Sequence, residues 1–364
     1  MKLSGFSLTK IVKIDGSMLE GGGAILRNSV ALSAIYQQPI EIYNIRSKRS
    51  KPGLRSQHAN VIEAIGKISN AKMDGVFVGS TKIRFDPGEL QGGEYEIDIG
   101  TAGSISLLLQ AIFPVASRCP TKVKLLLKGG TDVKWSPPID YIRYVFLPMM
   151  KKLGIEATMC VGRRGHYPKG GGMVSCDIEP IVRLKPILFE FEDPFITECI
   201  CGRAHAVKLP CLIAERMIDS AIKYLLAEGF EVGAIERECI EEKYDVHLGP
   251  GTGITLWSCN NFGTILAGNG LGEKGISAEN VGKTAAKNLL EQIKIGRPID
   301  FHLADQMILW MGISDFPSII DTTKITLHTI TNIEIVKLLS NANFIITGSE
   351  GKPGIINCEP SKIL

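Results

Sequence analysis

The order of events along the chain repeats, and this repetition constrains the fold more than any single motif. Ile14 to Glu20 leads into glycines at 21–23, a helical stretch from Ala24 to Tyr36, then Pro39 and a strand-like Ile40–Ile45. Pro52 and Gly53 precede a second helical stretch, Leu54–Ile68, and a short strand near Val76–Val78. About 80 to 85 residues later the order returns. Tyr95–Ile99 alternates as a strand, Gly100–Gly103 turns, Ser104–Ala116 has helical periodicity and Val123–Leu127 reads as a strand. Pro137 and Pro138 then open a helix over Ile139–Leu153, followed by Ile155–Val161. A third copy lies towards the C-terminus, with a helix at Leu303–Met311, a strand at Lys324–Thr326, a helix at Asn332–Ser340 and a strand at Asn343–Thr347. Between copies two and three, Leu184 to about Glu279 carries its own pattern of strand (Phe189–Phe191), helix (Ala206–Glu228) and strand (Thr252–Ser258). The expectation is an α/β chain of three repeated units: residues 1–185 hold the first two, 186–279 an inserted smaller domain, and 280–364 the third.

At 364 residues the chain exceeds what one hydrophobic core holds, which agrees with a repeated architecture. Hydrophobic residues at 45% and charged residues at 22% exclude long disorder and a coiled coil. The 41 basic and 38 acidic residues nearly cancel, so any nucleic-acid surface must be local. Nine scattered cysteines, with the close pair Cys199 and Cys201 matching no common zinc knuckle, read as free thiols in a reducing cytoplasm. Met1–Gly16 is too charged for a secretory signal. Ile99–Ser117 is long enough to span a bilayer, but Gly100, Ser104, Gln110 and Pro114 make it a buried helix of a soluble protein, with no membrane partner.

Five segments carry chemistry. Glu20 and the glycines at 21–23 run into a helix bearing Arg27; such glycines let backbone N–H groups approach a phosphate, and a neighbouring carboxylate can hold a divalent cation. The run Arg46, Lys48, Arg49, Lys51, Arg55, His58 has no acidic residue between Glu41 and Glu63, and offers a local site for a phosphodiester backbone. Arg163 to Gly172 is basic and glycine-rich, either another anion-facing turn or a plain hairpin. His302 and Gln306 lie one helical turn apart and, with Asp305, can present a ring, an amide and a carboxylate to one ligand. Finally, Thr331 and Asn332 can cap the last helix, placing His328 near its electropositive end, where a neutral imidazole can act as a nucleophile.

Together these segments resemble the RNA 3'-terminal phosphate cyclase family over most of the chain. The resemblance rests on Asp15-Gly16, Glu20 to Gly23, Ile25 to Arg27, Ile45 to Arg49, Pro52 to Leu54 and Gln57-His58. It continues through Gly100 to Gln110, Gly129 to Asp132, Tyr167-Pro168 with three glycines, Leu303 to Gln306, and His328 with Thr331-Asn332. It implies three α/β units, each a four-stranded sheet with two helices, plus a smaller insert. It also implies an enzyme that uses ATP and a divalent metal, Mg or Mn, to turn an RNA 3'-phosphate into a 2',3'-cyclic phosphate. By the same resemblance His328 is the adenylylated histidine. Gln110, Arg27 and the run His302, Leu303, Ala304, Asp305, Gln306 contact ATP, and Glu20 lies by the triphosphate and metal. Arg46, Arg49, Gln57 and His58 bind phosphate and RNA. Ala24 stands where relatives commonly have glutamine, and His302 where some have tyrosine. Two other readings use the same architecture. A non-catalytic ribosomal RNA assembly factor needs no nucleophile, and a carboxyvinyl transferase needs no basic run. Oligomeric state is left open by the sequence.

Overall fold

A computed structural model describes residues 10–193 and 195–360; the stretch 1–9, part of the segment read against a secretory signal, lies outside them. The first repeat runs β1 (Val12–Asp15), α1 (Gly23–Tyr36), β2 (Ile40–Tyr43), α2 (Ser56–Ile68), β3 (Lys72–Asp74) and β4 (Ile83–Asp86). The second runs β5 (Gly93–Asp98), α3 (Ile105–Ser117), β6 (Val123–Gly129), then α4 (Ile139–Tyr141), a wide π turn (Ile142–Phe146) and α5 (Leu147–Lys152) as one rod, then β7 (Ala157–Arg163) and β8 (Gly172–Ile178). After these come β9 (Leu188–Phe189), β10 (Thr197–Val207), α6 (Leu212–Ala227), β11 (Val232–Cys239), β12 (Gly251–Asn260), β13 (Ile265–Leu271) and α7 (Ala278–Ile293). The chain closes with α8 (Phe301–Gly312), β14 (Ser318–Thr322), α9 (Leu327–Ser340), β15 (Asn343–Gly348) and β16 (Gly354–Glu359).

Among the described residues the strands form four sheets of four, and three of them share one topology. In each, the first two strands are parallel and the rest antiparallel: β1-β2-β4-β3, β5-β6-β8-β7 and β9-β14-β16-β15. Parallel neighbours need a crossover, and α1, α3 and α8 supply it. Alternation sets which face is covered: in β6, Val123, Leu125 and Leu127 point inward while Lys124 faces solvent. Helix α1 touches α2, α3 and α9, which explains why it is apolar nearly all round.

The shared topology moves the expected boundaries. Strand β9 pairs with β14 and is the first strand of the third repeat, although it lies inside the stretch 186–279. Helix α7 packs against α6 and β13, so it belongs with the inserted sheet, order β11-β10-β12-β13. The insert therefore interrupts the connection from β9 to α8, and its second hydrophobic core reaches Ile293. Other expectations shift locally. Residues 76–78 form no strand, 206–211 divide between β10 and the approach to α6, and 318–322 rather than 324–326 form the strand before α9. The reading of free thiols fails for Cys211 and Cys239, which form a disulfide: the start of α6 and the end of β11 bring their Cα atoms to 5.6 Å. The remaining seven cysteines are free. No described helix is long and apolar enough to cross a membrane.

Candidate active site

Four helix starts converge on one cleft of about 1290 Å³: α1 at Gly22 and Gly23, α2 at Arg55 and Gln57, α8 at Phe301 and His302, and α9 at His328. None of these helices has an acidic residue in its first turn. The caps of α1, α2 and α9 are Gly22, Arg55 and Thr326, so no capping carboxylate meets those three positive dipole ends and an anion from outside can. Helix α8 is instead capped by the Asp300 carboxyl, which accepts from the Leu303 N–H. At α1 the cap is Gly22, with no side-chain hydrogen bond to the helix amides. A Cβ at Gly22 would sit 2.5 Å from Glu20 Oε2, so the glycine is what lets that carboxylate fold over the loop. A Cβ at Gly23 would meet His58 Nε2 at 2.6 Å.

Glu20 is nearly buried and lies at the centre of the site. Its Oε2 is 3.3 Å from Nδ1 of His328 and 3.2 Å from Nη2 of Arg49, while its Oε1 has no hydrogen-bond partner among the described residues. His328, with its side chain 55% exposed, is open to the cleft. Its helix is capped differently from the expectation. Thr326 is the cap, its hydroxyl accepting from the Thr329 N–H, so His328 sits inside the first turn. Thr331 bonds back to the Leu327 carbonyl. Asn332 instead links helices, donating to the Asp305 carbonyl and accepting from Asn28 Nδ2 at 2.7 Å.

The opposite wall is basic. Burial pulls the Arg27 guanidinium down to about 10, with Glu20 opposing, so it stays charged at neutral pH. Burial, then Arg55 and Arg49, lower the Arg46 pKa. Such crowding of like charges is costly unless an anion settles among them. Burial, then Arg27, Arg46 and Arg55, take His58 to about 3. His58 Nδ1 accepts from the Arg55 N–H at 3.2 Å, which leaves the proton on Nε2, facing the glycine loop as a donor.

The third repeat supplies the remaining wall. Burial, then Lys324 and His328, take His302 to about 4; its ring packs by Phe301 and edge-on to Tyr141. Burial raises Asp305 to about 6 against the hydroxyls of Thr326 and Thr329, which donate to it at 2.6 and 2.5 Å. Gln306 donates to the His302 carbonyl, and its Oε1 is buried without a partner among the described residues. A helix with 302, 305, 306 and 309 on the cleft must turn 303 and 304 away. Leu303 and Ala304 are accordingly fully buried in the core and do not line the cleft, which leaves only their backbone for the ATP contact expected of the segment.

A family model for RNA 3'-terminal phosphate cyclase matches residues 18–346. The chain belongs to the RNA 3'-terminal phosphate cyclase family. Among curated relatives with that name, the Korarchaeum cryptofilum protein is 45% identical over 96% of this chain and 98% of its own. The Methanopyrus kandleri protein is 41% identical over 96% and 99%, and the Pyrococcus furiosus protein 43% identical over 94% and 97%.

For a member of the RNA 3'-terminal phosphate cyclase family, the cleft gathers Glu20, Arg27, Arg46, Arg49, Gln57, His58, Gln110, His302, Asp305, Gln306 and His328. It also contains Arg55, from the basic run, together with Asn28, Lys324 and Asn332, to which sequence reasoning assigned no ligand-binding role. Lys324, with Nζ 4.2 Å from the centre of the Phe301 ring, has no motif around it that would have marked it. The third basic segment does not face an anion. Arg164 is fully buried against Asp132, Asp140 and Glu238, and Arg163 donates to the Gly171 carbonyl. The charge of Arg164 is thus neutralised inside the protein, while Lys169 stays exposed.

Proposed function

We propose that this chain uses ATP to convert an RNA 3'-terminal phosphate into a 2',3'-cyclic phosphate, releasing AMP and pyrophosphate. The observation that carries the reading is His328, an exposed imidazole at a helix start, set 3.3 Å from a buried carboxylate in a cleft walled by arginines. A histidine nitrogen attacks the α-phosphorus of ATP and pyrophosphate leaves, its charge met by Arg27 and the helix ends. Asp305, Gln306 and His302 hold the adenosine part. The histidine-bound AMP then passes to the RNA 3'-phosphate, freeing the imidazole. The neighbouring 2'-hydroxyl attacks that activated phosphorus, loses its proton and expels AMP. Both reacting groups belong to one ribose, so this last step gains the effective concentration of an intramolecular reaction.

The orphaned Oε1 of Glu20 fits a divalent cation, Mg or Mn, which would neutralise charge on the triphosphate. Glu20→Ala should therefore raise the metal concentration needed for half-maximal self-adenylylation by about tenfold or more. If Glu20 acts only by orienting His328, the rate will fall at every metal concentration with the half-saturating value unchanged.

Arg46 and Arg55 belong to the RNA end in this reading, because Arg49 is engaged with the Glu20 carboxylate and carbonyl. Replacing Arg46 and Arg55 together by alanine should weaken RNA binding and flatten its dependence on log salt by roughly 1.4, the value for two lost phosphate contacts on a single strand. Self-adenylylation should change far less. An unchanged salt slope would place these arginines elsewhere in the reaction. The function as a whole is tested by incubating the protein with ATP and a 3'-phosphorylated oligonucleotide. The product should resist phosphatase and appear with equimolar AMP; a product still open to phosphatase would overturn the reading.

A further inference from the structure

Away from the cleft, where the second repeat meets the insert, two buried imidazoles hold ring nitrogens with no hydrogen-bond partner among the described residues. His205, on the central strand β10, is 2% exposed, and neither of its ring nitrogens has a hydrogen-bond partner among the described residues. His166, 6% exposed, leaves Nε2 without a partner among the described residues, and the two ring centres are 5.1 Å apart. Orphaned buried nitrogens are costly and rare, and three in one place point to a missing partner. Asp132 completes the group: one ligand atom from each of Asp132, His166 and His205 lies within 4.8 Å of the others. We propose that these three residues bind one divalent transition-metal ion, of the zinc class, that fastens the insert to the second repeat.

The backbone is shaped for these rings. A Cβ at Gly251 would lie 2.0 Å from the His166 ring, and one at Gly253 would lie 3.1 Å from Cε1 of His205. Both glycines are on β12, two residues apart and so on one face, with Gly253 paired directly to His205. Burial lowers the pKa of both histidines, which keeps them in the neutral form a metal requires. Arg164 and Thr131 donate to Oδ2 of Asp132, and Oδ1 takes neither bond.

Charge favours a cation despite the nearby guanidinium. The connected network holds Asp132, Asp140, Glu236 and Glu238 against Arg164 and Arg203, an excess of two carboxylates. Two nitrogens and one oxygen in a buried setting suit a borderline ion such as Zn²⁺ or Co²⁺ rather than Mg²⁺.

The experiment uses the full chain, stripped with chelator and titrated with Co²⁺ in the absence of nucleotide. About one ion per chain should bind, with the visible absorption of a nitrogen-ligated site. Glu20→Ala should bind it equally well, whereas His205→Gln and His166→Gln should each lose at least about tenfold in affinity while keeping their far-ultraviolet circular dichroism. Absence of stoichiometric uptake by the wild type would overturn the proposal. So would uptake unchanged in both glutamine variants, or lost only in Glu20→Ala. Should the glutamine variants not fold, X-ray absorption of the cobalt-loaded wild type decides: imidazole scattering is expected, and ligation by oxygen alone overturns the site.

Discussion

Replacing His328 with alanine should abolish transfer of label from α-phosphate-labelled ATP to the protein, while the fold survives. The side chain is more than half exposed, so its removal costs little stability. Its loss leaves the glycine loop, Arg27 and the α8 wall in place, and ATP should still bind. The control is His302→Ala, which removes a ring from the wall proposed above to hold adenosine; it should raise the ATP concentration required yet leave a measurable adduct. The chemistry of the adduct tests the residue type independently. A phosphoramidate is labile in acid and comparatively stable in alkali, the reverse of a serine or threonine ester. Label recovered from the His328 variant, or mapped to His302, would remove His328 from the role of nucleophile even with cyclisation intact.

The repeats were legible because apolar periodicity and glycine punctuation are local properties. Helices α1, α3 and α8 each begin within two residues of where the pattern places them. What was not legible depended on partners far away in sequence. Strand β9 is two residues long, and only its pairing to β14 makes it the first strand of a repeat. Helix α7 is amphipathic, and its sequence does not say which sheet it covers. The cap of α9 was misplaced because Thr326, Thr331 and Asn332 are all good capping types; Thr326 prevails through its reciprocal bonds with Thr329. The site shows the same division. Glu20 and His328 are brought together by the docking of α1 on α9, which no local pattern encodes; the family resemblance assigned both to the ATP site without pairing them. Where only local composition was available, at Arg163–Gly172, a basic glycine-rich run fitted an anion-facing turn or a plain hairpin equally. The carboxylates that draw Arg164 inward, Asp132, Asp140 and Glu238, all lie outside the segment, with Glu238 74 residues beyond Arg164, so the inward turn had no signal in the segment itself.

Asp300 should make the protein less stable as pH rises from about 4 to about 7, because this carboxyl is buried with no cation among its hydrogen-bond partners. It caps α8, accepting from the Leu303 N–H at 2.8 Å, and the Tyr141 hydroxyl donates to both its oxygens at 2.9 and 3.0 Å. Burial pushes its pKa up to about 7, and these hydrogen bonds only partly oppose that. In the unfolded chain the group ionises near 3.8. Between the two values the folded protein holds a proton that the unfolded chain has released, so stability falls with each pH unit and levels off above the folded pKa. The accumulated loss is roughly 4 kcal/mol by neutral pH. Asp300→Asn keeps an oxygen to cap α8, and its amide can donate to the Tyr141 oxygen, but it never ionises. Urea melts of both proteins at pH 4.5 and pH 8 isolate the residue, since every other titrating group is common to the two. The wild type should lose several kcal/mol relative to the variant across that interval, and parallel pH profiles would refute the assignment. The capped helix carries His302, Asp305 and Gln306 into the cleft. Ionising its cap at high pH should therefore loosen the adenosine wall before the protein unfolds, and the ATP requirement of the wild type, but not of Asp300→Asn, should rise above neutral pH.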